Sequence, residues 1–291
     1  MKLLRYDALS PDYYPQLFRT FKEAFSDYGI DMSYLNERNL RNRWTKNAVS
    51  YESSVAAFDD DRMVGFMVIG LDDWKGRRAA FDAGTGVIRE YRGFGVAPAL
   101  FDLAIQGLRD QAVRAFVLEV IQTNKAAVGT YKKLGFKISR EFDCYQLATD
   151  QARVGTSRPA DDLVIEPVGK ELLERFSSFA DWPPSWENSF ASLSRIPDEL
   201  KMYGARFGNR RVGFAAYYPG LNWVTNVVVE PAFRRRGIAT RLLARLLRDL
   251  SDGPTTIKLV NADHADPATA SMMEKTGFEI YARQYEMELN L

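Results

Sequence analysis

Apolar positions recur along the chain in two rhythms. Short alternating or continuous runs suit strands, and longer runs spaced three and four apart suit helices. Over the first half the pattern predicts strands near 2–6, 53–58, 62–71, 78–88, 115–121, 136–142 and 143–148, with helices near 12–25, 33–44, 96–110 and 125–134. The 96–110 helix places Leu100, Leu103, Ala104 and Leu108 on one face. The second half predicts strands near 163–167, 202–207, 210–218, 223–229, 256–260, 278–282 and 284–289, and main helices near 235–250 and 267–276. Helices interspersed among mixed strands predict an α/β or α+β fold, a sheet with helices on its faces. One strand stands out: Ala115-Phe-Val-Leu-Glu-Val-Ile121 is apolar throughout except for Glu119, the pattern of a strand covered on both sides.

The two halves repeat each other. Arg92-Gly-Phe-Gly-Val-Ala97 recurs as Arg234-Arg-Arg-Gly-Ile-Ala239, and Lys133-Leu-Gly-Phe136 recurs as Lys275-Thr-Gly-Phe278, both at an offset of 142. Val64-Gly-Phe66 recurs as Val212-Gly-Phe214 at an offset of 148. Three matched segments in one order predict two copies of one domain. The expected boundaries are 1–150 and 160–291, joined by the aperiodic polar stretch 149–162.

Composition narrows the chemistry. A length of 291 residues fits about two domains, and 46% hydrophobic residues supply a sizeable core. Thirty-nine basic against 38 acidic residues leave a net charge of +1, so no bulk field favours nucleic acid or an anionic membrane. No apolar stretch reaches about 18 residues, and the opening Met1-Lys-Leu-Leu-Arg-Tyr-Asp lacks the core of a signal peptide, so a cytoplasmic location is expected. One cysteine, Cys144, and one histidine, His264, argue against a disulfide, a metal centre and triad chemistry. Cys144 lies in an alternating stretch and is expected to pack; His264 lies in a polar loop and is expected to be solvated.

The repeated Arg/Gly segment is the strongest chemical signal. It follows the strand ending at Val87-Ile88 in the first copy and at Val229 in the second, and it opens a helix. A glycine-bearing turn entering a helix presents backbone N–H groups at the positive end of the helix dipole, which suits a pyrophosphate. In the first copy the turn is Arg92, Gly93, Phe94, Gly95, Val96 and Ala97, with Arg92 expected to add charge; Pro98 fits the first helical turn. A dinucleotide motif would need glycine at position 98, and a Walker loop needs a Gly-Lys-Ser/Thr that is absent.

Arg-x-x-Gly-x-Ala after a strand, followed by Asn124-Lys-Ala-Ala127-Val-Gly-Thr-Tyr131 and Gly135-Phe136, resembles the GNAT acyltransferase superfamily. The resemblance covers nearly the whole chain and implies two tandem GNAT-fold domains. Each would have a mixed, mostly antiparallel central sheet with splayed central strands and flanking helices. It further implies acetyl-coenzyme A as acyl donor, with its pyrophosphate on Arg92–Ala97, Asn124 beside it, and its pantetheine between strands 78–88 and 115–121. A second cofactor site would comprise Val229, Arg234, Arg235, Arg236, Gly237, Ile238 and Ala239.

Acetyl transfer to an amine needs a base for the ammonium and an acid for the departing thiolate. The resemblance gives Tyr131 the acid's position; the other reading is a helix tyrosine that packs. Glu119 suits a base raised in pKa by burial, and the Glu119, Asn124, Tyr131 spacing is similar to ribosomal-protein N-terminal acetyltransferases, where such a glutamate is the base. The other readings are an edge glutamate or a partner for an arginine such as Arg92. At the 142 offset Tyr131 becomes Met273, Glu119 becomes Asn261 and Asn124 becomes Asp266, so the first copy is expected to be catalytic.

The acceptor is read from the segment after the first strand. Phe25, Asp27, Tyr28 and Asp31 offer aromatic and anionic groups to a small cationic amine, or form the faces of an amphipathic helix and its polar loop. Trp182-Pro-Pro-Ser-Trp186 either caps a cleft between the domains or bends a loop. The primary expectation is an acetyl-CoA-dependent N-acetyltransferase acting on a small-molecule amine, without metal, nucleic-acid or membrane partner. Protein or peptide N-terminal acetylation and a non-catalytic acyl-CoA-binding module are the alternatives.

Overall fold

The computed structural model describes residues 3–27, 35–153, 162–250, 253 and 255–291. In the first repeat the strands are β1 (Arg5–Ala8), β2 (Val49–Asp59), β3 (Arg62–Trp74), β4 (Arg77–Val87), β5 (Ala115–Ile121) and β6 (Lys137–Ala148). Its helices are α1 (Tyr14–Ala24), α2 (Glu37–Lys46), α3 (Val96–Asp110) and α4 (Lys125–Lys133). The second repeat has β7 (Leu163–Pro167), α5 (Leu173–Ser177), α6 (Phe190–Ser194), β8 (Lys201–Phe207), β9 (Arg210–Tyr218), β10 (Trp223–Val229), α7 (Ile238–Arg248), β11 (Thr256–Asp263), α8 (Pro267–Thr276) and β12 (Glu279–Asn290). No described helix is long and apolar enough to cross a membrane.

Two pairs of expected strands are single strands. The expected break at 142/143 is bridged by β6, and β12 runs through 283 without interruption. Neither junction carries glycine or proline. The polar positions there satisfy each other, since the buried Asp143 accepts from Arg283 Nε at 2.9 Å and its other oxygen lies 2.8 Å from His264 Nδ1. His264 is in an exposed turn as expected, but tied to a buried carboxylate. Cys144 is fully buried in β6.

Two compact units emerge. One comprises Met1–Val120, Asn124–Ser139 and Glu286–Leu291; the other comprises Ile121–Thr123 and Arg140–Tyr285. The division therefore differs from a cut at 149–162, because each repeat lends the end of its last strand to the other unit. In the first unit the strand order is β1-β2-β3-β4-β5 and then the end of β12, where Leu291 N donates to Arg114 O at 3.1 Å. In the second the order is β6-β11-β10-β9-β8-β7, with β6 antiparallel to β11 from Ala148↔Thr256 to Phe142↔Asp263. Inside each unit the ladders are antiparallel except β4 with β5 and β10 with β11.

Helices cover both faces of each sheet. In the first unit Phe21 of α1 stacks on Phe66 of β3, and Trp44 of α2 packs against Phe21; on the other face Phe101 of α3 meets Phe116 of β5. In the second, Phe176 of α5 stacks on Phe214 of β9, while Leu242, Leu243 and Leu246 of α7 and Met273 of α8 pack in the core on the opposite face. The repeated Val-Gly-Phe segments explain how α3 and α7 sit so close. A Cβ on Gly65 would lie 3.0 Å from Val96 Cγ1, and one on Gly213 would lie 3.0 Å from Ile238 Cγ2, so glycine lets the first residue of each helix rest on the neighbouring strand.

Substituting Gly65→Val should overpack this contact and lower stability by about 1–3 kcal/mol. Gly107→Ala, at an α3 position where the new methyl meets nothing within 4 Å, should raise it by about 0.5–1 kcal/mol. Denaturant unfolding followed by circular dichroism distinguishes the two signs.

Candidate functional site

The parallel ladders are brief. β4 and β5 pair only at Ala79↔Ala115, Ala80↔Phe116 and Phe81↔Val117, and β10 and β11 only at Trp223↔Lys258 and Val224↔Leu259. Just past the last pair, a bulge on the far edge bends the inner strand away. Asp82 and Gly84 oppose the consecutive residues Ile69 and Val68, and Val224 and Asn226 oppose Tyr217 and Ala216. The bulged residues Ala83 and Thr225 are 142 apart, so the splay is built at the same place in both repeats.

Each splay leads to the Arg/Gly turn. Gly93 and Gly95 have φ +81°, and a Cβ on either would point into open space, leaving room for an anion against the backbone. Gly95 is the N-cap of α3, and Gly237, φ +75°, is the N-cap of α7. The first-turn amides of both helices therefore face outward without helical partners. The residues present fit a pyrophosphate.

Arg92, expected on that anion, is engaged elsewhere. Its Nε donates to Val87 O at 2.9 Å, Nη2 to Ala24 O at 2.7 Å, and Nη1 and Nη2 hold Asp27 in a two-pronged pair at 2.7 and 2.8 Å. Arg234 repeats the pattern, with Nε on Val229 O at 3.0 Å, Nη2 on Phe179 O at 2.9 Å and Nη1 on Asp181 at 2.5 Å. The motif arginine is a clamp that ties the strand end to the chain leaving the preceding helix. Asp27, expected near the acceptor, is its counter-ion, and the Arg92 guanidinium holds its carboxyl below the usual aspartate range. The free charge differs between copies: the second turn continues with exposed Arg235 and Arg236, the first with Gly93 and an exposed Phe94. Arg235 adopts φ +62°, a left-handed conformation costing an ordinary residue roughly 1–2 kcal/mol.

Tyr131 sits half-buried on α4, its ring edge-on to Phe101 at 5.5 Å and tilted to Phe136 at 6.0 Å. It belongs to the face covered by α3. Phe116 faces the same way, so alternation turns Val117 and Glu119 to the face covered by α1. Glu119 is half-buried two residues beyond the last ladder pair, and Arg92 is not its counter-ion. Alternation thus sets Glu119 toward the α1 face, while Tyr131 lies on the α3 face. Asn124, expected beside the cofactor, caps α4, its Oδ1 accepting from Ala127 N at 3.1 Å. Asp266 caps α8 likewise. Met273 is fully buried, and Asn261 Oδ1 accepts from Gln284 Nε2 at 2.9 Å.

A family profile described as "Acetyltransferase (GNAT) family" matches residues 10–136 and 168–278. The chain belongs to this family of acetyltransferases. It is 28% identical over 134 residues to N-alpha-acetyltransferase 30 of Schizosaccharomyces pombe, covering 43% of this chain and 89% of that one. It is 31% identical over 124 residues to N-alpha-acetyltransferase MAK3 of Arabidopsis thaliana, covering 42% of this chain and 65% of that one. Among solved structures, a tandem GNAT protein from the clavulanic acid biosynthesis pathway superposes with TM-score 0.77 at 15% identity, covering 99% of this chain and 98% of that one. A GCN5-related N-acetyltransferase from Sphaerobacter thermophilus gives 0.73 at 15% identity over 99% and 95%. The tandem GNAT fold is thereby shown.

In this GNAT chain the α1 side of the first unit is aromatic. Phe25 packs on Phe21 at 4.6 Å and Phe66 at 6.4 Å, and Phe21 Cε2 is 3.7 Å from where a Gly84 side chain would begin. Tyr28 and Asp31 lie outside the described residues. The second unit holds a cavity of about 440 Å³ reaching from the Arg234–Ala239 turn along β10 and β11 to α8. Trp182, Pro183 and Pro184 form part of its wall, so the Trp-Pro-Pro segment caps a cleft within its own unit.

Sequence reasoning passed over Asp82. It occupies the splay at the bulge of β4, and its carboxylate accepts from Gly84 N at 3.0 Å and Thr85 Oγ1 at 2.8 Å. The signal that selects Glu119, a lone acid in an apolar strand, was present here too. Burial pushes its pKa up to about 6, against the two hydrogen bonds that lower it. The folded state thus holds the proton more tightly than the unfolded chain, and stability falls as pH rises from about 4 to 6. Asp82→Asn should gain on the parent by up to about 3 kcal/mol between pH 4 and 7, read as diverging melting curves.

Proposed function

We infer that the chain is an acetyl-CoA-dependent N-acetyltransferase whose first unit acetylates a primary amine. The observation that carries this reading is the placement of Glu119 and Tyr131 on opposite faces of one splay, beside a turn able to hold a pyrophosphate. Acetyl-CoA, when bound, supplies the acetyl group as a thioester. Glu119, on the α1 face, would accept one proton from the acceptor ammonium; Tyr131, on the α3 face, would donate one to sulfur as the N–C bond forms and the C–S bond breaks, and the second proton lost by the nitrogen would restore the phenol. The Tyr131 hydroxyl is an O–H donor.

The part-exposed ring of Phe25, backed by the buried Phe21 and Phe66, supports a small amine with an apolar body as acceptor. A peptide α-amine is the second reading, favoured by the two relatives named N-alpha-acetyltransferases and by the Glu119 to Tyr131 spacing. A panel of small amines and of short peptides, scored by thiol release from acetyl-CoA, separates them.

With the best acceptor from that panel, Tyr131→Phe should reduce kcat by about 10²-fold or more, and Glu119→Gln should do the same while removing the acidic limb of the pH–rate profile. Unaltered turnover in both variants would contradict the assignment of the chemistry to this unit.

A further inference from the structure

The net charge of +1 conceals a division of charge along the chain. Between Lys201 and Leu250 there are ten basic residues, nine of them arginine, against Glu230 and Asp249 alone. That stretch is +8 in a chain of +1, which leaves the remaining residues at −7. The bulk figure that speaks against a nucleic-acid partner therefore does not describe the surface of the second unit.

Folding gathers much of this charge on one side of one sheet. Tyr203, Ala205 and Phe207 alternate along β8 onto the face that α7 covers, where they pack with Leu242, Leu243 and Leu246. The leucines take the inner side of α7; Arg241, Arg245 and Arg248, spaced four and three apart, form a stripe along its flank. The Arg245 guanidinium lies 5.4 Å from the centre of the Tyr203 ring, which puts the stripe on the β8 side. At the Tyr203 end, Lys201 Nζ donates to Asp249 O at 3.2 Å. At the other end Phe207 stacks on Phe233, whose ring is faced by Arg210 at 4.7 Å and Arg236 at 5.1 Å. These six cations form one row about as long as α7, roughly 16 Å.

Half of the row is unmatched. Glu230 takes Arg210 through two hydrogen bonds, and Asp249 takes Arg245 at 3.3 Å. Arg236, Arg241 and Arg248 have no acidic partner among the described residues, and Arg236 and Arg248 are exposed. Arg241 is half-buried, with its Nη1 buried and without a hydrogen-bond partner, so packing holds this guanidinium in place with its donors unspent. The feature belongs to the second repeat alone. At the 142 offset the stripe positions in α3 are Ala99, Leu103 and Gln106.

A row of fixed guanidinium groups calls for a row of fixed oxyanions, and the planar fork of arginine suits phosphate. The rings that could stack unpaired bases are already covered, Tyr203 by Arg245 and Phe233 by Arg210, Arg236 and Phe207. The backbone of a paired helix is therefore a better match than a single strand. Because α7 lies against β8, β9 and β10, it presents a low ridge and cannot enter a B-form major groove, which is about 8.5 Å deep. The wide, shallow minor groove of an A-form helix, edged by phosphates and 2′-hydroxyls, accepts such a ridge. We propose that the α7–β8 side of the second unit is a docking surface for double-stranded RNA, held through its phosphates without regard to sequence. This surface is separate from the turn and the splay, and it does not depend on which amine the first unit acetylates.

The test uses the full chain and a fluorescein-labelled RNA duplex of mixed sequence and about 20 base pairs, read by anisotropy over a range of salt concentrations. The parent should bind this duplex about tenfold or more tightly than a DNA duplex of the same sequence, polyglutamate or vesicles containing phosphatidylserine. Arg248→Glu, an exposed change, and Arg241→Gln should each weaken binding about fivefold or more and lower the slope of log affinity against log salt by about 1. Both variants should melt with the parent. Arg109→Glu, the same exposed charge change on α3, should leave binding unaltered. The proposal is overturned by a parent that does not bind the RNA duplex, or by Arg109→Glu weakening it as much as Arg248→Glu does. Equal binding of DNA, polyglutamate or vesicles overturns it as well.

Discussion

A parallel ladder that ends after two or three pairs leaves backbone groups in the middle of a sheet that must find partners elsewhere. Everything functional in this chain follows from how the two repeats meet that demand. The bulges at Ala83 and Thr225 turn β4 and β10 away from β5 and β11, and each splay opens beside the turn that starts α3 or α7. In the first repeat the edges of the gap carry carboxylates, Asp82 and Glu119. In the second, Asn226 on one edge donates to Asn188 O, and the Asn188 side chain donates to Val260 O on the other.

The clamps at Arg92 and Arg234 explain why the geometry survives in both copies. Each guanidinium joins the last carbonyl of an inner strand, the carbonyl near the end of the preceding helix, and an aspartate just beyond it. The pair is partly exposed, so its Coulombic worth is small and screened. Its value is directional: a planar fork that meets three groups at once fixes where the turn begins relative to the acceptor-side segment. The motif arginine is thus an element of construction, and the anion-binding capacity lies in the amides that follow it, supplemented by Arg235 and Arg236 in the second unit alone.

Much of this was legible in the sequence because repetition is a strong signal. The offset of 142 aligned the turns and exposed the loss of Tyr131 and Glu119 from the second copy, while the splayed strands followed from the family resemblance. Other features were not legible because they depend on pairing between distant segments. Asp143 looks like a strand breaker until Arg283 and His264 are seen beside it. Arg92 looks like a phosphate ligand until Asp27 is found on it. Asn124 reads as a ligand to the cofactor, yet its oxygen serves the first turn of α4, a role that local spacing alone could have suggested. Asp82 and Asn226 were within reach, since each is a polar interruption of an apolar strand.

The two units also divide the physical requirements of group transfer. Binding needs an anion cradle, an apolar wall and a few oriented polar atoms; transfer needs these together with proton-carrying groups reached from both sides of the sheet. The second unit satisfies the first set more fully, with its cavity and its added arginines, while replacing every proton carrier by a side chain that cannot ionise at neutral pH. The first unit keeps the proton carriers and presents a turn of glycine and Phe94 in place of free charge. Selection for tight holding and selection for turnover pull in opposite directions, because tight binding of the ground state does not speed transfer. On the proposed reading of the first unit as the reacting copy, duplication would relieve that conflict by leaving the second copy free of the demands of turnover.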